Sequence, residues 1–127
     1  MQVNHPMNVA KIGINGHFYQ VELAISSDQR RLGLMHRTEL RSDEGMLLVY
    51  SKPGDHRIWM KNVLIPLRIY WIDVDHRIID YRRVQPCSEN PCPVYGASGS
   101  SKFVLELSDT DHDIGIGDRV SGLNVLP

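Results

Sequence analysis

The chain has 127 residues, 42% hydrophobic and 23% charged, with a formal net charge of −1. That length and balance describe one folded domain, residues 1–127, able to bury its own core, and they exclude a disordered chain. The near-neutral charge argues against a protein that grips nucleic-acid phosphates, and no apolar run approaches the roughly 18 residues of a membrane-spanning helix.

Residues 1–8 are polar, contain a proline and read as a loose tail. No basic stretch followed by an apolar one precedes the domain, so no signal peptide is visible. As it stands the chain reads as cytoplasmic. A chain cut to its mature form would belong to the cell envelope or periplasm.

From Val9, Ala10, Ile12 and Ile14 alternate with Lys11 and Gly13 as a strand. Asn15-Gly16 is a two-residue hairpin signal, since both residues tolerate positive φ. The return strand runs from about His17 to Ile25. Ser26-Ser27-Asp28 reads as a helix cap, and Leu32 and Met35 lie one turn apart on a buried side, which predicts a helix at about 27–36. Gly33 inside so short a helix implies a close backbone approach. Gly45 to Tyr50 reads as a buried strand, 51–56 as a Pro-Gly turn, and Arg57 to Lys61 as extended. Ile65, Leu67, Ile69 and Trp71 alternate as a half-buried strand that Pro66 places at an edge or an entry.

Asp73 to His76 turns the chain and Arg77 to Val84 returns it. Pro86 to Ser101 is a long loop. Phe103, Leu105 and Leu107 mark a strand, Ser108 to Asp113 suits one helical turn, and Gly115 to Asp118 turns into a last strand at about Arg119 to Val125. About seven or eight short strands with one short helix predict a mostly β fold, a compact antiparallel barrel or sandwich.

No nucleotide loop, nucleophile elbow or zinc-protease motif is present. Five residue groups are candidates for chemistry. His36 suits acid–base work and Arg37 suits a carboxylate or phosphate clamp, against the plainer reading of cations at a helix C-terminus. Lys61 is a candidate anion anchor and Asn62 a candidate polar contact, against a plain turn beside Trp59 and Met60 packed with Met35 in the core. Arg30, Arg31, Arg37 and Arg41 make residues 30–41 basic: a solvated face, or a groove for a small anion. Asp73, Asp75 and Asp80, or His76 with the cysteines, make poor metal sets, and neither metal nor cofactor is expected. Cys87 and Cys92, four residues apart in one loop, fit neither a zinc knuckle nor a redox motif. They are expected close enough to bridge, as a local disulfide or as two reduced thiols.

Three segments, Gly33-Leu34-Met35-His36-Arg37, Gly45-Met46-Leu47 and Trp59-Met60-Lys61-Asn62-Val63-Leu64-Ile65-Pro66-Leu67, combine with Ile72-Asp73, Pro86-Cys87, Tyr95, Val104-Leu105-Glu106-Leu107 and Gly117-Asp118. Together they resemble a bacterial and archaeal family, domain of unknown function 192, over roughly residues 9–125. The resemblance implies a mostly β fold with one short helix, and many similar proteins look exported. Val63 stands where the family pattern has Thr, and Arg68 where it has Asp, which removes a hydroxyl and reverses a charge; if the carboxylate does chemistry in relatives, this chain lacks it.

The leading functional expectation is a non-catalytic β domain that binds a small molecule or a protein partner at a polar site near His36, Arg37, Lys61 and Asn62. One alternative is an enzyme with His36 as acid or base and Arg37 and Lys61 holding an anionic substrate. Another is a purely structural accessory domain. A second polar group within about 3 Å of His36 separates catalysis from binding.

Overall fold

The computed structural model describes residues 8–126. The tail expected over residues 1–8 therefore lies, Asn8 apart, outside the described residues. Alternation and the Asn-Gly turn build the first hairpin as expected. β1 (Val9–Ile14) pairs antiparallel with β2 (His17–Ala24), Ile14 facing His17. Asn15 and Gly16 take the positive φ that the tight turn demands, 52° and 80°.

The chain then departs from a simple meander. Helix α1 (Ser27–Leu32) and the loop after it carry the chain back, so that β3 (Glu44–Gly54) pairs parallel to β2. A parallel pair needs such a crossover, and the expectation of antiparallel pairing throughout is corrected here. β3 also continues through Pro53, where a turn was expected, and after an irregularity re-pairs Gly54 with Ser101. β4 (Ile58–Trp59) leaves the main sheet and pairs with β7 (Val94–Tyr95) as a two-stranded ribbon.

β5 (Leu67–Ile72), β6 (Ile78–Val84), β8 (Ser101–Ser108) and β9 (Val120–Ser121) complete a seven-stranded sheet ordered β6-β5-β8-β3-β2-β1-β9. The fold is thus β-rich with little helix, a curled sheet with a side ribbon. The two edges approach at one end. Ile78 N–H donates to the Asp118 carbonyl at 2.9 Å, and Gly117 N–H to the Ile78 carbonyl at 2.7 Å. Two further expectations are corrected. Ser108 ends β8 and residues 109–113 form a bend and irregular chain rather than a helical turn, and after β9 the chain makes a 3-10 turn, Leu123–Val125.

Both faces of the sheet are buried. The inner face collects residues from all seven strands, among them Ile12, Val21, Leu47, Tyr70, Ile78, Leu105 and Val120. The outer face carries Met46, Leu48, Leu67, Ile69, Trp71 and Val104, covered by Leu34, Ile58, Met60 and Val63. Apolar burial at roughly 25 cal/mol per Å² makes these two clusters the main source of stability. Trp71, fully buried, donates its indole N–H to the His56 carbonyl at 2.8 Å and so ties the segment entering β4 to the sheet. Cys87 and Cys92 are joined by a disulfide with their Cα atoms 5.8 Å apart. Among the described residues no helix is long and apolar enough to cross a membrane, and no cluster of His, Cys, Asp and Glu is grouped to hold a metal.

Candidate functional site

The outer face is closed by two turns that meet. α1 begins on a reciprocal cap: the Ser26 hydroxyl accepts from Gln29 N–H at 3.1 Å, and the Gln29 side chain accepts from Ser26 N–H at 3.1 Å. It ends at Gly33, φ 51°, whose N–H returns to the Gln29 carbonyl at 2.9 Å, short of the expected end at residue 36. Positive φ is costly for a side chain, so glycine suits this exit. The following turn docks on the turn at residues 60–63 through His36 N–H, which donates to the Asn62 carbonyl at 2.8 Å. His36 and Asn62 both hold left-handed conformations, φ 68° and 60°.

This docking leaves a cavity of about 210 Å³ over the outer face of the sheet, walled by Leu32, Ile58, Trp59 and Val63 and bordered by Arg31 and Arg57. A cleft of about 360 Å³ adjoins it, lined by Asp28, Lys61 and Asn62 together with Arg31, Leu32, Met35 and Trp59, which line the cavity as well. Trp59 is the ridge between the two. It is 39% exposed, whereas Met60 beside it is buried in the core with Met35 packed against that cluster. The expectation that Trp59 packs in the core is corrected: β4 pairs with the side ribbon, not the main sheet, and alternation then turns Met60 inward and Trp59 outward.

Glu106 also lines the cavity. It sits on β8 between Val104 and Ser108, facing outward while Leu105 and Leu107 face the inner core. The residue is 4% exposed, no described residue hydrogen-bonds its carboxyl group, and the carboxyl oxygens are not fully enclosed. Burial pushes the carboxyl up to about 7. Tyr50, at the same cavity, is pushed up to about 12 by burial and then by Glu106, against the opposing Arg30. Gly45 explains how β3 and β8 approach closely enough here, because a Cβ at Gly45 would lie 2.5 Å from the Glu106 carbonyl oxygen.

The other candidate residues are divided by the fold. Lys61 and Asn62 share the cleft, with the Lys61 ammonium 5.3 Å from the Trp59 ring centroid. Arg37 turns away to a two-pronged pair with Glu22, at 2.5 and 2.8 Å, which raises the guanidinium pKa mainly through that hydrogen bond. His36 is exposed, lines neither cavity nor cleft, and its imidazole bonds to no described residue. Arg30 is anchored on the Ile25 and Val49 carbonyls and lies 4.7 Å over the Tyr50 ring. Arg68, the charge-reversed position, pairs with Asp109 at 3.3 Å, as Arg83 does at 2.9 Å. Asp73 closes its own turn by accepting from the N–H groups of Asp75 and Arg77.

Glu106 was not among the residues singled out from the sequence. The signal existed: Phe103 to Leu107 is an apolar run typical of a strand buried on both faces, so a glutamate inside it must be buried too.

Two solved structures resemble the chain closely. One is a "putative transcription regulator" from Sinorhizobium meliloti 1021, 27% identical, with a TM-score of 0.88 over 97% of this chain and all (100%) of that one. The other is a protein of unknown function from Novosphingobium aromaticivorans DSM 12444, 30% identical, with a TM-score of 0.84 over 94% of this chain and 91% of that one. No curated protein matches. The family DUF192, described as Uncharacterized ACR, matches residues 10–122, and the chain belongs to it.

Proposed function

We propose that the chain is a ligand-binding domain, and that its site is the cavity above Glu106 with the adjoining cleft of Lys61 and Asn62. One observation carries the reading. Glu106 is 4% exposed, and its carboxyl group, hydrogen-bonded by no described residue, opens on a cavity beside a half-exposed tryptophan. Leaving a buried polar group unpaired costs about 1–3 kcal/mol, more for a charged one. The Glu106 oxygens keep access to the cavity, so part of that cost applies, and a ligand that supplies a partner recovers it. Buried carboxyls with raised pKa values in clefts are recurrent marks of functional sites.

The cavity volume suits a small molecule better than a nucleotide cofactor. Binding is favoured over catalysis because His36 has no second polar group bonded to its ring. The name of the Sinorhizobium structure brings gene regulation to mind, but this chain has net charge −1 and a six-residue helix, a poor element for a DNA groove.

The test is a fragment screen followed by amide chemical shifts. Shifts clustered on residues 31–35, 57–63 and 106, and lost in Trp59→Ala, support the site. Shifts confined elsewhere refute it. Turnover of a substrate that vanishes with His36→Ala would establish the enzyme reading instead.

A further inference from the structure

We propose, resting on the site above, that its ligand is a short bipolar molecule. An ammonium group would lie inward at Glu106, a methylene body along Trp59, and a carboxylate outward toward Arg31 and Lys61. Each part answers a feature of the cavity. At the floor an acceptor stands open: Glu106 lines the cavity, and its unpaired carboxyl oxygens are not fully enclosed by protein. A buried carboxylate without a partner is matched best by a donor carrying positive charge. The walls formed by Leu32, Ile58, Val63 and the Trp59 ring are largely apolar and suit a methylene body.

The rim is basic. Arg31 and Lys61 form no ion pair among the described residues, while Arg57 is held by Asp55 at 3.0 Å. A simple acid would satisfy the rim but set its apolar end against Glu106. A simple amine would satisfy Glu106 and leave the rim unmatched. The cavity of about 210 Å³ and the adjoining cleft leave room for a short chain reaching from Glu106 to the rim.

The charges around Glu106 set the pH behaviour. From α1 come Arg30 and Arg31, from β3 Tyr50 with His56 stacked on its ring at 3.6 Å, and from the segment before β4 Arg57. Across the sheet, Arg82 stands beyond Ile69 on β6, and Glu22 beyond Met46 on β2 is engaged by Arg37. Arg30, Arg57 and Glu22 are already partnered, and Arg31 at the rim is assigned to the ligand's carboxylate, which leaves the ligand's ammonium as the direct partner of Glu106. An alkylammonium, with a pKa of about 10.4, stays charged through neutrality. Binding therefore strengthens as Glu106 ionises and releases a proton below its own pKa.

Calorimetric titration with 6-aminohexanoate, hexylamine and hexanoate tests this. The expected order is 6-aminohexanoate first, hexylamine second and hexanoate last. Affinity for 6-aminohexanoate should rise about tenfold from about pH 6 to about pH 8, as a carboxyl titrating near 7 ionises. Glu106→Gln, which keeps shape and folding, should flatten that profile and weaken binding about tenfold or more at the upper end. Hexanoate binding as tightly as 6-aminohexanoate, affinity falling with pH, or Glu106→Gln without effect would each overturn the proposal. If none of the three binds while a screened fragment does bind at Trp59, this inference falls and the site stands. If neither binds, both fall.

Discussion

The His36 amide donates to the Asn62 carbonyl at 2.8 Å, and both residues are left-handed at φ 68° and 60°. This contact joins the Gly-Leu-Met-His-Arg segment to the Trp-Met-Lys-Asn segment. It is made by backbone, so side-chain identity at either position matters mainly through φ. A left-handed residue with a branched side chain costs about 1–2 kcal/mol. Asn62→Val should lower stability by about that amount, while Asn62→Gly should stay within about 1 kcal/mol of wild type. Urea denaturation midpoints of the two variants would check it.

Glu106 makes stability pH-dependent in an unusual direction. Its folded pKa, about 7, lies above the ordinary value of 4.5, so the folded state holds the proton more tightly. Its contribution is fully present at low pH and is lost as pH rises from about 4.5 to about 7. Glu106→Gln cannot ionise. The variant should therefore be more stable than wild type at about pH 8, by about 1–3 kcal/mol, with the gap closing toward pH 5. Thermal melts across that range would show it, and a gap that widened on acidification would contradict it.

Met60 and Trp59 should respond differently to truncation. Met60 is 1% exposed and Trp59 is 39% exposed. Met60→Ala opens a core cavity and should cost about 2–4 kcal/mol. Trp59→Ala leaves no enclosed void and should cost about 1–2 kcal/mol, while abolishing ligand-dependent shifts. A larger stability loss at Trp59 than at Met60 would contradict the exposed ridge.

Arg37 and Lys61 should separate stability from binding. Arg37 is engaged by Glu22 with both side chains about a third exposed, so Arg37→Ala should cost only about 0–1 kcal/mol and leave ligand affinity intact. Lys61→Ala should leave stability unchanged and weaken anionic ligands. Paired denaturation and binding measurements on the two variants decide this.

The disulfide between Cys87 and Cys92 closes a short loop beside the outer cluster, against which Cys87 packs. Chain entropy for so short a loop amounts to about 2 kcal/mol. Replacing both cysteines by serine should lower stability by no more than that and leave the sheet intact, as judged by circular dichroism.

Much of the architecture was legible because its determinants are local. Asn15-Gly16 needs only its own positive φ values, and the Ser26 cap needs only Gln29 three residues on; the strand expected from Ile65 to Trp71 forms as Leu67–Ile72, but between β6 and β8 it is buried on both faces rather than half-buried, Tyr70 and Ile72 included. The parallel pairing of β2 with β3 was not legible, since it depends on where α1 and its loop return the chain. The outward turn of Trp59 was missed for a similar reason. Its side is decided by β7, far along the chain, and not by neighbours at 57–61.

The site followed the same division. The sequence by itself determined that two polar turn segments, around His36 and Asn62, hold this family's motifs, and that the domain is mostly β. Only the tertiary structure decided which polar groups converge. Arg37 is drawn to Glu22 across from another strand, His36 is left at the surface, and Glu106, read along the chain as one more strand residue, becomes the floor of a cavity. The physical reason is that burial and charge pairing are set by distance in space, and β pairing brings together residues whose separation in sequence carries no signal.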